Sequence, residues 1–412
     1  MLLFVGVLVG HGFITAVNLY SEMSGVGGGP AALPQGLSPL DGILVPTWGA
    51  YDLLATLIFP FVAIRLIATE KESGAVKLLL QLPGSLASKI TAKGLALGIG
   101  WLIGWLPGLA AIILWKSYGG HLNFPESLNL FVGHMLRGCL SAGVAVAAAG
   151  IAESAASAAI ITLAFTVGTW VLDFVAAGRG GWLQQLANYT PTAALRSFEQ
   201  GLLSLSTVLV IGVLSAAGFA LTSIWLHTGK SWRYRLASTS ILVITVAVIC
   251  FGCSRLLASW DFSENHRNSF SREDEATLRQ VWQPLKITVY LAPEDPRLTD
   301  FEQNVLKRLR RVMGRRLDVE YVATGRSGLF ESEDRYGEIS YEMHGAKIVD
   351  RSTIEEVVLD QIYQLAGVNG PQRSDADAYA GYPLAVRPNK AALIFYFFWP
   401  LVVLLAWWQV HR

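Results

Sequence analysis

Long apolar runs separated by short polar stretches set the pattern of this chain. A bilayer core takes about 20 apolar residues in helical form. Runs of that kind fall at 2–19, 48–66, 95–114, 130–151, 155–176, 207–225, 236–257 and 391–408, which predicts eight membrane-crossing helices. Little more than Glu153-Ser154 parts the fourth run from the fifth, so a tight helical hairpin is expected there. Trp48, Trp115, Trp170, Trp225, Trp260, Trp407 and Trp408 fall near predicted ends, where indole rings favour the membrane interface.

The stretch 261–388 has other periods. Leu285, Ile287, Val289 and Leu291 alternate with Lys286, Thr288 and Tyr290, a strand pattern. Phe301, Val305, Leu309 and Val312 then share one helical face in a run ending at Arg316. Leu317, Val319 and Tyr321 alternate again, so a right-handed strand–helix–strand unit is expected. Segments 338–343 and 346–349 flank His344-Gly345 as a hairpin. Ser352-x-x-Glu355 has the spacing of a capping box, opening a helix through Ile354, Val358 and Ile362 that stops at Gly367. The expected fold is a polytopic α-helical membrane protein, about eight transmembrane helices, with a small extracytoplasmic α/β domain.

Composition agrees with that division. Hydrophobic residues make up 52% of the chain and charged ones 15%, and well over half of the charges fall between Asp261 and Arg387. A formal net charge of +1 leaves no basic excess for nucleic acid, so no such partner is expected. Arg65, Lys71, Lys77, Lys89 and Lys93 surround the loop after the second span, and Lys230, Arg233 and Arg235 follow the sixth. The loops 20–47 and 116–129 are poor in basic residues. Positive charge marks the cytoplasmic side, so the N-terminus, both basic loops and the terminal His411-Arg412 are expected there, with 261–388 outside. The first run is full length and no clear small-residue cleavage site follows, so a retained helix is expected in place of a signal peptide. Cys139, Cys250 and Cys253 all sit in apolar runs. Cys250-Phe-Gly-Cys253 on such a helix reads as two small fillers one turn apart, not a redox or metal pair.

ATP hydrolysis by the chain itself would need a phosphate-binding loop. The nearest string is Gly229-Lys230-Ser231, but Ile224 stands where the first glycine belongs and a membrane span, not a strand, precedes it. The chain is not expected to hydrolyse ATP. More informative is 67–85, directly after the second span, with Glu70, Lys71, Glu72, Ser73 and Gly74, then Leu78-Leu79-Leu80, then Pro83-Gly84-Ser85. Its plainest reading is a short amphipathic helix at the interface. The same features suit an element through which a cytoplasmic motor moves the bundle.

This acidic-basic-Glu-Ser-Gly, Leu-Leu-Leu and Leu-Pro-x-Ser pattern resembles the segment after the second span of type-2 ABC transporter permeases, and most nearly those associated with gliding motility. Tyr189-Thr-Pro191 through Phe198 to Gly201 resembles that family's outer re-entrant segment. The resemblance covers residues 1–228. It implies that Glu70, Lys71, Glu72, Ser73, Gly74 and Pro83 form the face coupled to the ATPase, and that Pro191, Phe198 and Gly201 shape an outer gate. Trp260 to Ser271, with the strand after it, is similar to the start of the auxiliary extracytoplasmic subunit found beside such permeases. That implies a fusion: a six-helix permease domain at 1–228, a cytoplasmic linker and seventh span at 229–260, an extracytoplasmic α/β domain at 261–388, and an eighth span with a cytoplasmic tail at 389–412. The outward part is shorter than that auxiliary subunit usually is, and no elbow helix precedes the first span.

Ionisable residues at membrane depth are costly and default to functional candidates. Asp52, His134, Arg137 and Asp173 are such residues, all toward the outer side. Arg137 could pair with Asp52 or with Asp173, as a fixed ion pair or as a substrate contact. Lys307, Arg308, Arg310, Arg311, Arg315 and Arg316 form a basic run on one helix, which reads first as a solvated face and second as an acidic-partner surface. His266 and His344 stand alone in polar loops. Neither a catalytic set nor a metal cluster is expected in the outward domain.

The expectation is a permease subunit, not an enzyme, in a bacterial inner membrane. A separate cytoplasmic ABC ATPase would supply ATP and Mg, and this chain would bind no cofactor. It would form a homodimer or pair with a second permease, export a substrate, and use its outer domain to meet an extracytoplasmic partner. The alternative is an ATP-driven mechanical or anchoring subunit through which nothing crosses.

Overall fold

The computed structural model describes residues 1–24, 38–81, 83–176, 183, 186–187, 189–227, 229–256, 258–292, 295–322, 335–371, 379 and 381–410. The terminal His411-Arg412 lies outside them. The protein is mostly helical, and among the described residues eight helices are long and apolar enough to cross a membrane: Leu2–Met23, Leu40–Glu72, Leu86–Ser117, Phe124–Ile151, Ala155–Ala176, Leu205–Trp225, Trp232–Ser254 and Asn389–Gln409. They are numbered here as first to eighth span.

The second and third spans run well beyond the expected 48–66 and 95–114, to 33 and 32 residues, and both are interrupted at a proline. Proline has no N–H and breaks the i→i−4 ladder. Pro60 leaves the Thr56 carbonyl without its helical donor, and the Thr166 hydroxyl of the fifth span donates to it at 2.9 Å. In the third span the break falls at Trp105, before Pro107. There the Tyr51 hydroxyl bridges the gap, donating to the Gly104 carbonyl (3.1 Å) and accepting from the Gly108 amide (3.0 Å).

Small residues decide which helix is central. The fourth span carries Gly133, Gly138, Gly143 and Gly150, and 67% of its most apolar stretch is buried, against 0% for the seventh. A Cβ on Gly143 would come within 2.8 Å of the Ser215 backbone, and one on Gly218 within 2.3 Å of Gly143. The fourth and sixth spans thus approach backbone to backbone, as small residues permit where helix association rests on packing. The eighth span lies against the first: Phe395 and Trp399 pack on Gly10 and Gly6, and Trp399 Nε1 donates to the Leu2 carbonyl at 2.9 Å.

The α/β unit has its own core. Its four strands, β3 (Leu285–Val289), β4 (Leu317–Tyr321), β5 (Ile339–Met343) and β6 (Ala346–Asp350), are ordered β4-β3-β5-β6. β3 and β4 are parallel, as the strand–helix–strand pattern predicts, and the other pairs are antiparallel. Leu285, Ile287, Val289, Ile339, Tyr341 and Met343 bury one face against the helical run 296–313 and the helix Glu355–Ala366. Lys286, Glu320 and Glu342 are exposed. The β5–β6 turn has positive φ at His344 (51°) and Gly345 (82°), the twist a two-residue hairpin favours. Gly367 ends the last helix in left-handed geometry. The capping box does not form. The N-cap is Ile354, and Ser352 Oγ accepts from the Ile354 amide at 3.2 Å, because Asp350 already turns the chain by accepting from the amides of Arg351 and Ser352.

Two elements were not expected. Helix Arg272–Gln280 is highly charged and starts at Ser271, which accepts from the Asp274 amide. A two-stranded antiparallel ribbon, β1 (Leu202–Ser204) with β2 (Ser259–Asp261), joins the start of the sixth span to the segment that leads into the α/β unit.

Candidate functional site

At the end of the bundle away from the α/β unit, the second span closes on Glu70, Lys71 and Glu72, and each side chain is engaged. Glu70 is ion-paired with Lys93 of the third span, whose ammonium also donates to the Leu66 carbonyl at 3.2 Å. Lys71 Nζ donates to the carbonyls of Gly150 (2.9 Å), Ala152 (2.5 Å) and Ala149 (3.4 Å), where the fourth span ends. Glu72 Oε1 accepts from the Ala155 amide at 3.1 Å, where the fifth span begins. Helices end with unpaired carbonyls and begin with unpaired amides, so a cation suits the first and an anion the second. The fourth–fifth hairpin predicted around Glu153-Ser154 is present, and two adjacent residues of opposite charge cap its two sides.

Beyond Glu72 the chain turns outward. Gly74 has φ +75° with open space around it, so backbone conformation alone asks for glycine. A short helix, Ala75–Gln81, buries Val76 and exposes Leu78 (65%). Ser73, Gly74, Pro83, Gly84 and Ser85 are exposed, and Ser85 Oγ caps the third span by accepting from the Ser88 amide. Of the six residues singled out here by sequence, Ser73, Gly74 and Pro83 present a free surface, while Glu70, Lys71 and Glu72 hold other helices.

The bundle interior carries the second cluster. Arg137 is 2% exposed and donates through Nε to Asp52 Oδ1 (2.7 Å) and through Nη2 to Thr56 Oγ1 (2.8 Å). Of the two partners left open by the sequence, Asp52 is the one it meets. Asp173 pairs with Arg196 at 2.6 Å, on helix Pro191–Glu199. His134, fully buried beside Trp48 and Tyr51, has no hydrogen-bond partner on either ring nitrogen among the described residues.

Helix Pro191–Glu199 is seated by Thr190, which accepts from the Ala193 amide, and by Asn129 Nδ2, which donates to the Phe198 carbonyl at 3.0 Å. Phe198 is fully buried against Gly133. Pro191, Phe198 and Arg137 line one small gap that admits no water. Two of the three outer-gate residues singled out by sequence, Pro191 and Phe198, therefore share a neighbourhood with Arg137, and Gly201, whose amide donates to the Phe198 carbonyl, lies just beyond. Gly201 has φ +81°, and a Cβ there would come within 2.7 Å of Ser263.

The chain matches no protein-family model, no curated protein and no solved structure.

Sequence reading missed the clasp formed by 261–270. Asp261 accepts five hydrogen bonds: Oδ1 from the Ser263 amide and hydroxyl and from Asn268 Nδ2, Oδ2 from the Asn268 amide and the Ser269 hydroxyl. Burial alone would raise its pKa, but the bonds from Ser263, Ser269 and Asn268 outweigh it and hold the carboxyl below its usual range. The loop so folded reaches four parts of the bundle. Phe262 N donates to the Gly201 carbonyl (2.9 Å) and Asn268 Nδ2 to the Gln200 carbonyl (2.7 Å). Arg267 pairs with Asp41 at 2.7 Å. Glu264 lies 2.9 Å from His121 Nε2 and accepts from the Tyr382 hydroxyl at 2.9 Å, while its amide donates to Glu126. The signal available was the density of Asp, Ser and Asn in Asp261–Ser271, residue types that bond their own backbone.

The basic run at 307–316 is mostly spent inside the α/β unit, with Arg310 donating to the Tyr321 hydroxyl at 3.4 Å. Arg308 pairs with Glu355 (2.5 Å), Arg311 with Glu275 (2.7 Å), and Arg316 donates to the Val281 carbonyl. No group of three metal-ligating side chains occurs among the described residues. An apolar cavity of about 390 Å³ lies between the second, third, fourth and sixth spans, bounded by Phe59, Gly94, Trp101, Met135, Cys139 and Phe219.

Proposed function

We propose that this chain is the membrane-spanning permease subunit of an ATP-binding-cassette transporter, driven by a separate cytoplasmic ATPase and working as a dimer or beside a second permease. The observation that supports this reading is the element at 73–85. A short helix with an exposed Leu78 stands off one end of the bundle, and its root is tied into the third, fourth and fifth spans through Glu70, Lys71 and Glu72. An ATPase gripping that helix would move several spans together, a rigid-body switch. The basic residues around it favour the cytoplasmic side for this element, with 261–388 outside, and the proposed setting is a bacterial inner membrane. Translocation is then outward, past the helix Pro191–Glu199, and the ATP and Mg belong to the partner.

The test is purification of the chain from its native membranes. A co-purifying polypeptide with a phosphate-binding loop is expected, and Leu78→Asp releases it while leaving the bundle folded. Equal recovery of that ATPase with both proteins would remove the docking assignment. Replacing Glu70 and Glu72 with Lys also releases it, though less cleanly, because both carboxylates hold other helices.

A second reading has its own support. The clasp around Asp261 and Glu264 fastens the outer unit to the bundle by ion pairs, hydrogen bonds and the β1–β2 ribbon. A unit so fastened would carry bundle motion to an extracytoplasmic partner without transport. ATP-dependent substrate flux in vesicles holding both subunits separates the two readings.

A further inference from the structure

The geometry points to Lys71 and Glu72 as positioning residues that clip the second span to the fourth–fifth hairpin, so that the three spans move as one body from the 73–85 element to the helix Pro191–Glu199. This deepens the docking reading and rests on it for its purpose, but the link itself is a property of this chain. At one end Lys71 holds the last carbonyls of the fourth span and Glu72 the first amide of the fifth. Midway, Arg137 of the fourth span is held by Asp52 and Thr56 of the second, and Thr166 of the fifth donates to the Thr56 carbonyl. At the far end the same two helices grip Pro191–Glu199 from both sides. Asn129 and Gly133 of the fourth span meet Phe198, and Asp173 of the fifth meets Arg196.

Apart from the packing of Phe198 on Gly133, every joint along this route is polar and directional, set among apolar contacts that slide more easily. A displacement entering at Glu72 therefore has a continuous route of fixed contacts to the outer helix. Contact alone does not establish coupling; a change at one end must move the other.

Hydrogen exchange on the full chain in detergent or nanodiscs, with no ATPase present, tests this. In Lys71→Met/Glu72→Gln the amides of 152–158 should exchange about tenfold faster, and those of 191–201 should also quicken by a measurable factor. Lys71→Arg, which keeps the charge and the donors, should restore both segments to within about twofold in an otherwise native chain. A rise confined to 152–158 would make the pair a local cap and overturn the proposal, as would no change in either segment. Should the double variant fail to fold, Glu72→Gln alone gives the same reading at smaller amplitude. Loss of ATPase co-purification would bear on the docking assignment only, so the two claims fail separately.

Discussion

Arg137 shows how much one residue carries at membrane depth. Its guanidinium is 2% exposed and meets Asp52 and Thr56. Removing one partner of a buried pair leaves the other charge uncompensated, which costs about 3–5 kcal/mol. Arg137→Met should therefore lower thermal stability in detergent sharply, and Arg137→Met with Asp52→Asn should recover much of the loss. An additive double variant would mean that the pair does not interact. Asp261 gives a dependence on pH. Its folded-state pKa lies below the usual 3.8, so its stabilisation is full above that value and is lost as pH falls through the folded pKa. The clasp should hold at neutral pH and loosen only in strong acid, and Asp261→Asn should remove that acid step from an unfolding profile. The sequence marked Asp52, Arg137 and Asp173 because charge in an apolar run is conspicuous. It left Asp261, Glu264 and His121 unmarked, because each is ordinary in a polar loop and gains meaning only from partners far along the chain.

Among elements, legibility followed length. A span needs about 20 apolar residues and announces itself, and all eight expected helices are present, with ends that run into polar residues the apolar count excludes. The hairpins and the parallel β3–β4 pair were legible for the same reason, a sustained period. The β1–β2 ribbon was not. Leu202–Ser204 and Ser259–Asp261 are three residues each and far apart in sequence, and no local period marks them. Helix Arg272–Gln280 was hidden by its charge, although Ser271-x-x-Asp274 at its start was a readable cap. The glycines separate the two turns by mechanism. Gly74→Ala meets only the backbone cost of positive φ, about 1 kcal/mol, whereas Gly201→Ala adds a collision with Ser263. Melting temperatures should fall further for Gly201→Ala than for Gly74→Ala; the reverse order would contradict the packing at the clasp.

Across the whole molecule, the same bundle is braced at both ends. Charges at one end cap the fourth–fifth hairpin, and the clasp at the other seats the α/β unit on the ends of the spans. The expected boundary at residue 261, between the seventh span and the α/β domain, therefore falls at a joint, since β2 pairs with β1 of the bundle. A docking role requires that 73–85 face the cytoplasm. Thiol labelling with a membrane-impermeant reagent decides this, using Ser73→Cys in a chain whose Cys139, Cys250 and Cys253 are replaced by Ala. Labelling only after the membranes are opened is the result expected of a cytoplasmic docking element. Labelling in intact cells would put that surface outside, beyond reach of any ATPase, and would contradict the account.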